Sequence, residues 1–299
     1  MVGLDLSEMD ATLIKFASFV ANTAKTNKIY FVNVVRSLHI PDEVLKEFPN
    51  LTEIAIEERK LAMKALVEQH FGNINVEVSY VIKEGVPSKK ILQWEVDKDI
   101  DLIILGRKTT LKGKGFLTQR LARRASCSLL IVPEGAELGV KKIMVPSDFS
   151  EHSVIAMEQA IDIAERNGPG VEILCQNVYT VPAGYHYTGK SYDDFKEIMK
   201  NNARNDYKKF IKKIVKKGIK IKTIYTLDEN EDPVEDIHNM ALKTKPDLIV
   251  IGAKGRTATT ALFLGSMAER LVQLINKFPL LVVRPKGKNA GILDYILEL

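Results

Sequence analysis

The chain of 299 residues has little of what disulfide, metal or membrane chemistry needs. Its two cysteines, Cys127 and Cys175, stand beside or within apolar runs, which favours small buried side chains over a disulfide or redox pair. The five histidines are scattered, and none stands at metal-ligand spacing with another. No stretch approaches the ~18 apolar residues of a membrane span, and the first residues lack the features of a signal peptide. We therefore expect a cytoplasmic protein with no membrane partner.

Charge of one sign is not concentrated in any part of the chain. The net charge of +5 is modest for this length, and the basic residues are spread out, so nucleic-acid binding is not indicated. The familiar catalytic and nucleotide patterns are also missing: a Walker loop, Gly-x-Gly-x-x-Gly, Gly-x-Ser-x-Gly and His-Glu-x-x-His. With 45% hydrophobic residues, the composition is that of an ordinary globular protein, and the length suits two domains.

The sequence repeats itself once over its length. Three landmarks recur in the same order at a slowly growing offset, which is typical of a duplicated domain rather than of a short-period solenoid. The matching pairs are Val2–Glu8 with Val145–Glu151, Asp101–Gly106 with Asp247–Gly252, and Leu129–Val132 with Leu280–Val283. A polar segment with glycine and proline, Pro133–Gly139, lies between the copies. The sequence therefore predicts one domain over residues 1–137 and a second over 138–299.

Each copy alternates strand-like and helix-like patterns, and its strands read as continuous apolar runs. This predicts an α/β fold: two tandem, doubly wound, five-stranded parallel-sheet domains of Rossmann-like type. The expected strands are Met1–Leu4, Lys28–Val35, Asn75–Ile82, Asp101–Leu105 and Leu129–Val132, then Lys142–Ser147, Val171–Val178, Ile219–Thr226, Asp247–Ile251 and Leu280–Val283. The expected helices of the second copy are one from the Ser150 cap to Ala164, then Tyr192–Lys217, Pro233–Thr244 and Ser266–Asn276.

A glycine pattern follows the fourth strand of the second copy. Gly252, Gly255, Gly265 and Ser266 stand between an apolar run and a helix start. Glycines let main-chain N–H groups approach an anion, and the helix N-terminus adds a positive dipole end, so this pattern indicates a phosphate cradle. Ser266 and Glu269 also form a capping-box pattern, so the serine hydroxyl has a purely structural alternative.

Two further features at this edge of the sheet keep alternatives open. Asp148 follows the first strand of the second copy, where it serves either a ligand or a turn before the Ser150 cap. Lys254 and Arg256 flank Gly255, and they either bring charge to a triphosphate or belong to an exposed loop.

Together these residues resemble the universal stress protein family. Its signature is Gly-x2-Gly-x9-Gly-(Ser/Thr), which Gly252, Gly255, Gly265 and Ser266 match at every fixed position. The stretch Val145–Ser150 matches the Val-Pro-x-Asp-x-Ser pattern that is typical of the end of the family's first strand. The resemblance covers nearly the whole chain as two copies.

The resemblance implies an adenine nucleotide as ligand: ATP, or ADP or AMP, together with Mg²⁺. By this likeness Asp148 contacts the adenosine, Val178 lines the adenine pocket, and Gly255 holds the phosphates. The full set of site residues that it implies is Pro146, Ser147, Asp148, Val178, Ile251, Gly252, Lys254, Gly255, Arg256, Gly265, Ser266 and Met267.

The first copy departs from the pattern. Gly106 matches, but Thr109 stands at the place of the second glycine, Phe116 replaces the serine, and Gly3 replaces the proline before Asp5. We therefore expect only the second copy to bind ATP. The many basic residues of the first copy in this region favour a solvated surface over a phosphate site; they are Arg107, Lys108, Lys112, Lys114, Arg120, Arg123 and Arg124.

Three functions fit these residues. The first is an ATP-binding regulatory protein of the stress response with slow or no hydrolysis, because no general base or nucleophile stands out. The second is a slow ATPase or a related ATP-using enzyme. The third is a ligand-free interaction or scaffold protein, in which the fifth strands Leu129–Val132 and Leu280–Val283 pair as an intramolecular pseudo-dimer, with a homodimer and an unknown protein partner as further assemblies. By position Tyr179–Ser191 is a lid or, as we favour, an ordinary surface loop.

Overall fold

A computed structural model describes residues 1–37, 41–108, 116–255 and 264–285. The chain divides into two compact units, Met1–Leu138 and Gly139–Leu299, called here the N-terminal and C-terminal units. Each unit contains one five-stranded run of parallel strands with helices between them. No helix within the described ranges is long and apolar enough to cross a bilayer.

The N-terminal unit orders its strands β3-β2-β1-β4-β5, and every pair within this run is parallel. Its strands are β1 (Val2–Leu4), β2 (Lys28–Val35), β3 (Glu77–Glu84), β4 (Leu102–Arg107) and β5 (Ser128–Pro133). Its helices are α1 (Met9–Thr23), α2 (Asp42–Glu47), α3 (Leu51–His70), α4 (Pro87–Asp97) and α5 (Phe116–Arg124).

The C-terminal unit repeats this order as β8-β7-β6-β9-β10, again with parallel pairing throughout. Its strands are β6 (Lys142–Pro146), β7 (Glu172–Tyr179), β8 (Lys220–Leu227), β9 (Leu248–Gly252) and β10 (Leu280–Val283). Its helices are α6 (Glu151–Arg166), α7 (Tyr192–Ile211), α8 (Pro233–Thr244) and α9 (Ser266–Leu274), and a 3₁₀ helix spans Ala183–Thr188. The expected α/β, doubly wound architecture is confirmed.

The core of the C-terminal unit lies where β6 and β9 pack against α6. Ile143, Met144 and Val145 of β6 are fully buried, as is Met157 of α6. A parallel strand is covered on both faces, which is why the sequence shows these strands as unbroken apolar runs rather than as alternating patterns. Since α6 is held against the first strand of the unit, the loop that joins β6 to α6 has a fixed position.

Several helix ends differ from the sequence prediction. Helix α7 stops at Ile211 rather than at Lys217, since the chain turns there and then reverses through residues 217 and 218, whose φ angles are 50° and 76°. Apolar Ile214 is nevertheless buried, so the helical pattern of the sequence reflects burial beyond the helix itself. Helix α9 likewise ends at Leu274, two residues before the predicted Asn276.

The strand order determines where a ligand can lie. In each unit the chain winds outward from the first strand in one direction, through the second and third, and then returns to its other side for the fourth and fifth. The crevice at such a switch point opens at the carboxyl ends of the first and fourth strands. In the C-terminal unit these ends are Pro146 of β6 and Gly252 of β9.

Candidate functional site

The structure brings Asp148 and the glycine loop together at the switch point of the C-terminal unit. A Cβ atom built on Gly255 would lie 2.8 Å from Oδ2 of Asp148, so this carboxylate lies directly beside the main chain of the loop. Gly265 lies at the same place: its N–H donates to the carbonyl of Ala253 at 2.8 Å, and a Cβ on it would lie 3.5 Å from the Gly255 nitrogen. Both described ends of the loop therefore meet beside Asp148.

The Asp148 carboxylate is held in one orientation by the turn that joins β6 to α6. Its Oδ1 accepts hydrogen bonds from the Ser150 N–H at 3.0 Å and from the Ser153 hydroxyl at 2.8 Å. Ser150 caps α6 as expected, because its hydroxyl accepts from the Ser153 N–H at 3.3 Å. The hydrogen bonds of this turn are made by Oδ1, and Oδ2 is directed towards Gly255.

Phe149 closes this turn in a conformation that L-residues seldom adopt. Its φ angle is 62°, in the left-handed region. The ring packs against two residues of α7, at 5.2 Å from the Phe210 centroid and 6.1 Å from the Tyr207 centroid. Burial of this aromatic cluster offsets the backbone strain, which is of order 1–3 kcal/mol. Helix α7 therefore contributes to holding Asp148 in place.

A buried asparagine on the neighbouring strand supports the start of the same turn. The Asn177 amide donates to the Ser147 carbonyl at 2.9 Å, and the Ser147 N–H donates to the Gln176 carbonyl at 2.8 Å. Val178 comes directly after Asn177 and is half-buried near the carboxyl end of β7. The strand places Val178 at the edge of the crevice where an adenine pocket was expected.

The requirement for glycine at position 252 has a different origin from the one the sequence suggests. A Cβ there would lie 2.6 Å from the carbonyl oxygen of His152 and 2.9 Å from its carbonyl carbon. These are main-chain atoms of α6 that cannot move separately from the helix. Gly252 therefore permits α6 to lie close to β9, whereas the Cβ direction of Gly255 points to the site.

The structure corrects the capping role considered for Ser266. Gly265, with φ −64° and ψ 148°, is the N-cap of α9, and Ser266 is the first residue of the helix. A capping box needs its serine at the N-cap, in extended conformation, so Ser266 and Glu269 are one position out of register for it. The first N–H groups of α9 then lack the usual side-chain acceptor and can serve an anion.

The other predicted site residues divide by exposure. Pro146 and Ile251 are buried, so they can offer main-chain atoms only, whereas Met267 is 40% exposed at the start of α9. Lys254 is half-buried beside Gly255. Arg256 lies outside the described residues. Within the described ranges, no group of three or more His, Cys, Asp or Glu side chains is placed to hold a metal ion.

The N-terminal unit has the same turn with different chemistry. Leu6, at φ 60°, corresponds to Phe149, and the Asn33 amide donates to the Leu4 carbonyl at 2.9 Å just as Asn177 does to Ser147. The position of Ser153 is taken by Asp10, whose carboxylate accepts from the main-chain N–H groups of residues 5 and 6 at 3.2 and 2.7 Å.

The pKa values of the two aspartates of the N-terminal unit are shifted in opposite directions. Burial raises the pKa of Asp10 to about 6, and nearby Asp5 adds to the rise. Burial also acts on Asp5, but hydrogen bonds from Lys108 and Ser7 outweigh it and hold the Asp5 pKa below its usual value. The Lys108 ammonium lies 2.6 Å from Oδ2 of Asp5. A ribose hydroxyl would therefore have to compete with a cation for this carboxylate.

One expectation for the basic residues of the first copy is wrong. Arg107 is 7% exposed rather than solvated, because it is the last residue of β4 and pairs in register with Pro133 of β5. Burial lowers the pKa of its guanidinium. Arg120 and Lys108 remain accessible, whereas Lys112 and Lys114 lie outside the described residues.

The segment after β7 contains a short helix that the sequence did not predict. The 3₁₀ helix Ala183–Thr188 folds back on α7, with the Tyr185 ring 5.5 Å from that of Tyr192 and 6.3 Å from that of Phe195. Tyr187 is 87% exposed. Whether the segment covers the crevice as a lid stays a prediction.

Ser153 and Asn177 are the residues of the site that sequence reasoning missed. The signal for Asn177 was present in the repeat itself, since an Asn-Val pair stands in β2 and again in β7. A buried asparagine amide needs a hydrogen-bond partner, so two of them at matching strand ends indicate a nearby carbonyl to which each amide donates. Ser153 had no comparable signal, because the other copy has Asp10 at its position.

Both units have the doubly wound parallel sheet, which defines a Rossmann-like α/β protein that is built twice. In the C-terminal unit a strand end, a glycine pattern and a helix start meet at the switch point. The sequence profile of the Universal stress protein family matches residues 1–133 and again residues 139–284, so the chain belongs to that family as a tandem pair. Universal stress protein MJ0577 of Methanocaldococcus jannaschii is 29% identical over 160 residues, which are 49% of this chain and 96% of that protein.

Solved structures support the fold. A universal stress protein from Archaeoglobus fulgidus aligns with a TM-score of 0.61 and 16% identity, covering 97% of each chain. A universal stress protein in complex with cAMP aligns over 49% of this chain and 99% of its own, at 18% identity and a TM-score of 0.33. The first alignment shows that the two-unit fold of this chain also occurs in a solved member of the family.

Proposed function

We propose that the C-terminal unit binds ATP and that the protein is a regulator of the stress response with slow or no hydrolysis. The observation that carries the proposal is the position of Asp148, whose Oδ2 lies beside Gly255 at the mouth of a glycine loop. A carboxylate that accepts hydrogen bonds suits the hydroxyl groups of a ribose, and a glycine loop at a helix start suits phosphates. Both are needed for a nucleotide, and they occur together here.

The phosphate end of the proposed site relies on main-chain groups. The N–H groups of Ser266, Met267 and Ala268 begin α9, and the first helical hydrogen bond is made by the Glu269 N–H to Gly265 at 2.9 Å. The dipole of α9 favours an anion at this end by about 0.3–1 kcal/mol. The main chain of Lys254 lies beside Gly265, since a Cβ built on Gly265 would be 3.3 Å from the Lys254 Cα, and we propose its ammonium as a cation for the phosphates. Mg²⁺, in this proposal, is held by the phosphates, which supply hard oxygen ligands.

We expect slow or absent hydrolysis because both oxygens of the Asp148 carboxylate have other contacts in this proposal. A general base needs a lone pair directed at the attacking water, but Oδ1 of Asp148 accepts from Ser150 and Ser153 and Oδ2 is proposed to hold the ribose. The nucleotide then acts as a regulatory ligand that changes the surface around the loop.

Calorimetric titration of the full chain with ATP and Mg²⁺ tests the proposal, with two matched variants. Asp148→Asn keeps the shape and an acceptor for Ser150 but removes the charge, so we expect ATP affinity to fall at least tenfold, or about 1.4 kcal/mol. Asp5→Asn makes the same change in the other unit and should leave ATP affinity and a stoichiometry of one per chain unaltered. Equal losses in both variants, or two nucleotides per chain, would refute it.

The domain division is proposed as well. We place the boundary between residues 137 and 138, within the polar linker Pro133–Gly139, and expect limited proteolysis to cut there before it cuts either unit. The pairing of the fifth strands as a pseudo-dimer, a homodimer, and a partner protein stay predictions.

A further inference from the structure

The N-terminal unit has a large cleft at its own switch point, although its glycine signature is incomplete. The cleft has a volume of about 990 Å³ and opens between the carboxyl ends of β1 and β4. Ligand pockets commonly have volumes of roughly 300–1,000 Å³. The described residues at this switch point therefore enclose an open space even though the glycine pattern is incomplete.

One part of the cleft is apolar. Val32, Val34 and Ile91 line it from β2 and α4, and Leu105 lines it from β4. Val86, at the start of α4, is 47% exposed within the same lining. Such a wall suits the apolar or aromatic body of a small molecule.

The rim of the cleft is cationic. Arg36 follows β2, Arg120 lies on α5, and both are exposed lining residues that form no ion pair with another described residue. The carboxylates in the lining are already engaged, since Lys108 pairs with Asp5, and Asp10 accepts two main-chain N–H groups. The rim therefore offers two guanidinium groups, whose planar donors match phosphate oxygens.

The groups that would bind an anion in this cleft differ from those of the C-terminal unit. There, main-chain N–H groups at Gly255 and Ser266 are available to a phosphate chain. Here, the residue that begins α5 is Phe116, a cleft-lining ring that is 66% exposed. A ring in place of a hydroxyl removes a polar contact and adds a surface on which an aromatic group can stack.

We propose that the N-terminal cleft binds a phosphate monoester of an aromatic or apolar group, with the phosphate between Arg36 and Arg120 and the body against Val34 and Phe116. The two arginines complement the charge of a phosphate monoester, which is close to −2 at neutral pH. A triphosphate is excluded by the missing glycine cradle and by the Lys108–Asp5 pair. The chain then holds two different ligands in two copies of one fold.

Titration of the full chain with phenyl phosphate, in the presence of saturating ATP, tests this proposal. We expect saturable binding of one phenyl phosphate molecule per chain. Benzoate and inorganic phosphate should each bind at least tenfold more weakly, because benzoate lacks the phosphate group and inorganic phosphate lacks the aromatic ring. AMP is titrated separately. If AMP binds more tightly than phenyl phosphate, the natural ligand is a nucleotide; if it binds more weakly, the natural ligand is a phosphate ester that is not a nucleotide. Displacement of phenyl phosphate by further ATP would overturn the proposal.

Variants identify the groups responsible. The double variant Arg36→Gln, Arg120→Gln should weaken phenyl phosphate at least tenfold, whereas Lys60→Gln, Lys64→Gln, which removes the same charge from exposed positions of α3, should not. Val34→Trp should abolish binding because the larger side chain would occupy the space beside the apolar wall of the cleft. Thermal unfolding and ATP titration of each variant confirm that both units remain folded. Unchanged affinity in the arginine variant, or absence of saturable binding by the wild type, refutes the inference.

Discussion

Substitution of Gly252, at the end of β9, and of Gly255, in the loop that follows, should separate effects on stability from effects on ligand binding. In Gly255→Ala the new Cβ would lie 2.8 Å from Oδ2 of Asp148, which is about 0.6 Å inside ordinary contact. Oδ2 is the end of a side chain, so it can rotate away at a cost of about 0.5–1.5 kcal/mol. The rotation removes the carboxylate from the ribose position and disturbs its hydrogen bonds with Ser150 and Ser153.

The expected loss in ATP affinity is that of one hydrogen bond to a charged group, about 1.5–3 kcal/mol, or roughly ten- to a hundredfold. In Gly252→Ala the new Cβ would lie 2.6 Å from the His152 carbonyl oxygen. Overpacking against a helix backbone costs about 1–3 kcal/mol, which lowers Tm by roughly 2–12 °C for a unit of this size.

Calorimetry with ATP and thermal denaturation followed by circular dichroism distinguish the two effects. We expect Gly255→Ala to lose ATP affinity with the smaller fall in Tm, and Gly252→Ala to show the larger fall in Tm. Ala253→Gly, between the two positions, adds backbone freedom and removes one buried methyl group, so it is a control for a change in this segment that adds no atom beside Asp148 or His152. If Gly255→Ala binds ATP like the wild type, Asp148 does not contact the ligand as proposed. If Gly252→Ala melts like the wild type, the close approach of α6 to β9 is wrong.

Three further predictions follow from the described contacts. Asn177→Ala leaves the Ser147 carbonyl without its buried donor and should cost about 1–3 kcal/mol in urea unfolding, whereas Asn177→Asp, which cannot donate, should cost at least as much. The folded-state pKa of Asp10, raised to about 6, lies above its ordinary value, so its ionisation destabilises the fold; the wild type should lose stability relative to Asp10→Ser as the pH rises from about 4 to about 6, and a difference that is flat with pH would contradict this. Burial raises the pKa of Cys175 to about 12 and that of Cys127 further, so both thiols should react with a maleimide at pH 8 far more slowly in the native than in the urea-unfolded chain, and fast native labelling would show that either is accessible.

The architecture was predictable because the determinants of a parallel sheet are local and repeated. Runs such as Leu280–Val283 are apolar throughout, and this strand has the predicted bounds. Helix α8 was also predicted with its observed bounds, since Pro233 marks its start. In the structure the Asp232 carboxylate caps this helix by accepting from the N–H groups of Val234 and Glu235. Such signals are in the sequence of each element and do not depend on tertiary contacts.

The parts that were not predicted depend on contacts between distant segments. The reason for glycine at position 252 is the main chain of His152, one hundred residues earlier, and no local pattern reveals it. The N-cap of α9 moved from Ser266 to Gly265 because the loop is closed by the hydrogen bond from Gly265 to Ala253. Burial of Arg107 results from its register with Pro133 of β5, whereas the sequence prediction ended the fourth strand at Leu105 and assigned Arg107 to the basic loop.

The left-handed residue after the first strand, Leu6 in one unit and Phe149 in the other, has a consequence for engineering. Since both copies already make this costly turn, the same strand-to-helix connection underlies the two sites, and the copies differ in the glycine pattern and in having Asp10 at the position of Ser153. Transplanting residues 252–266 in place of 106–116, together with Asp10→Ser, should give the N-terminal unit an affinity for ATP without redesign of its interior.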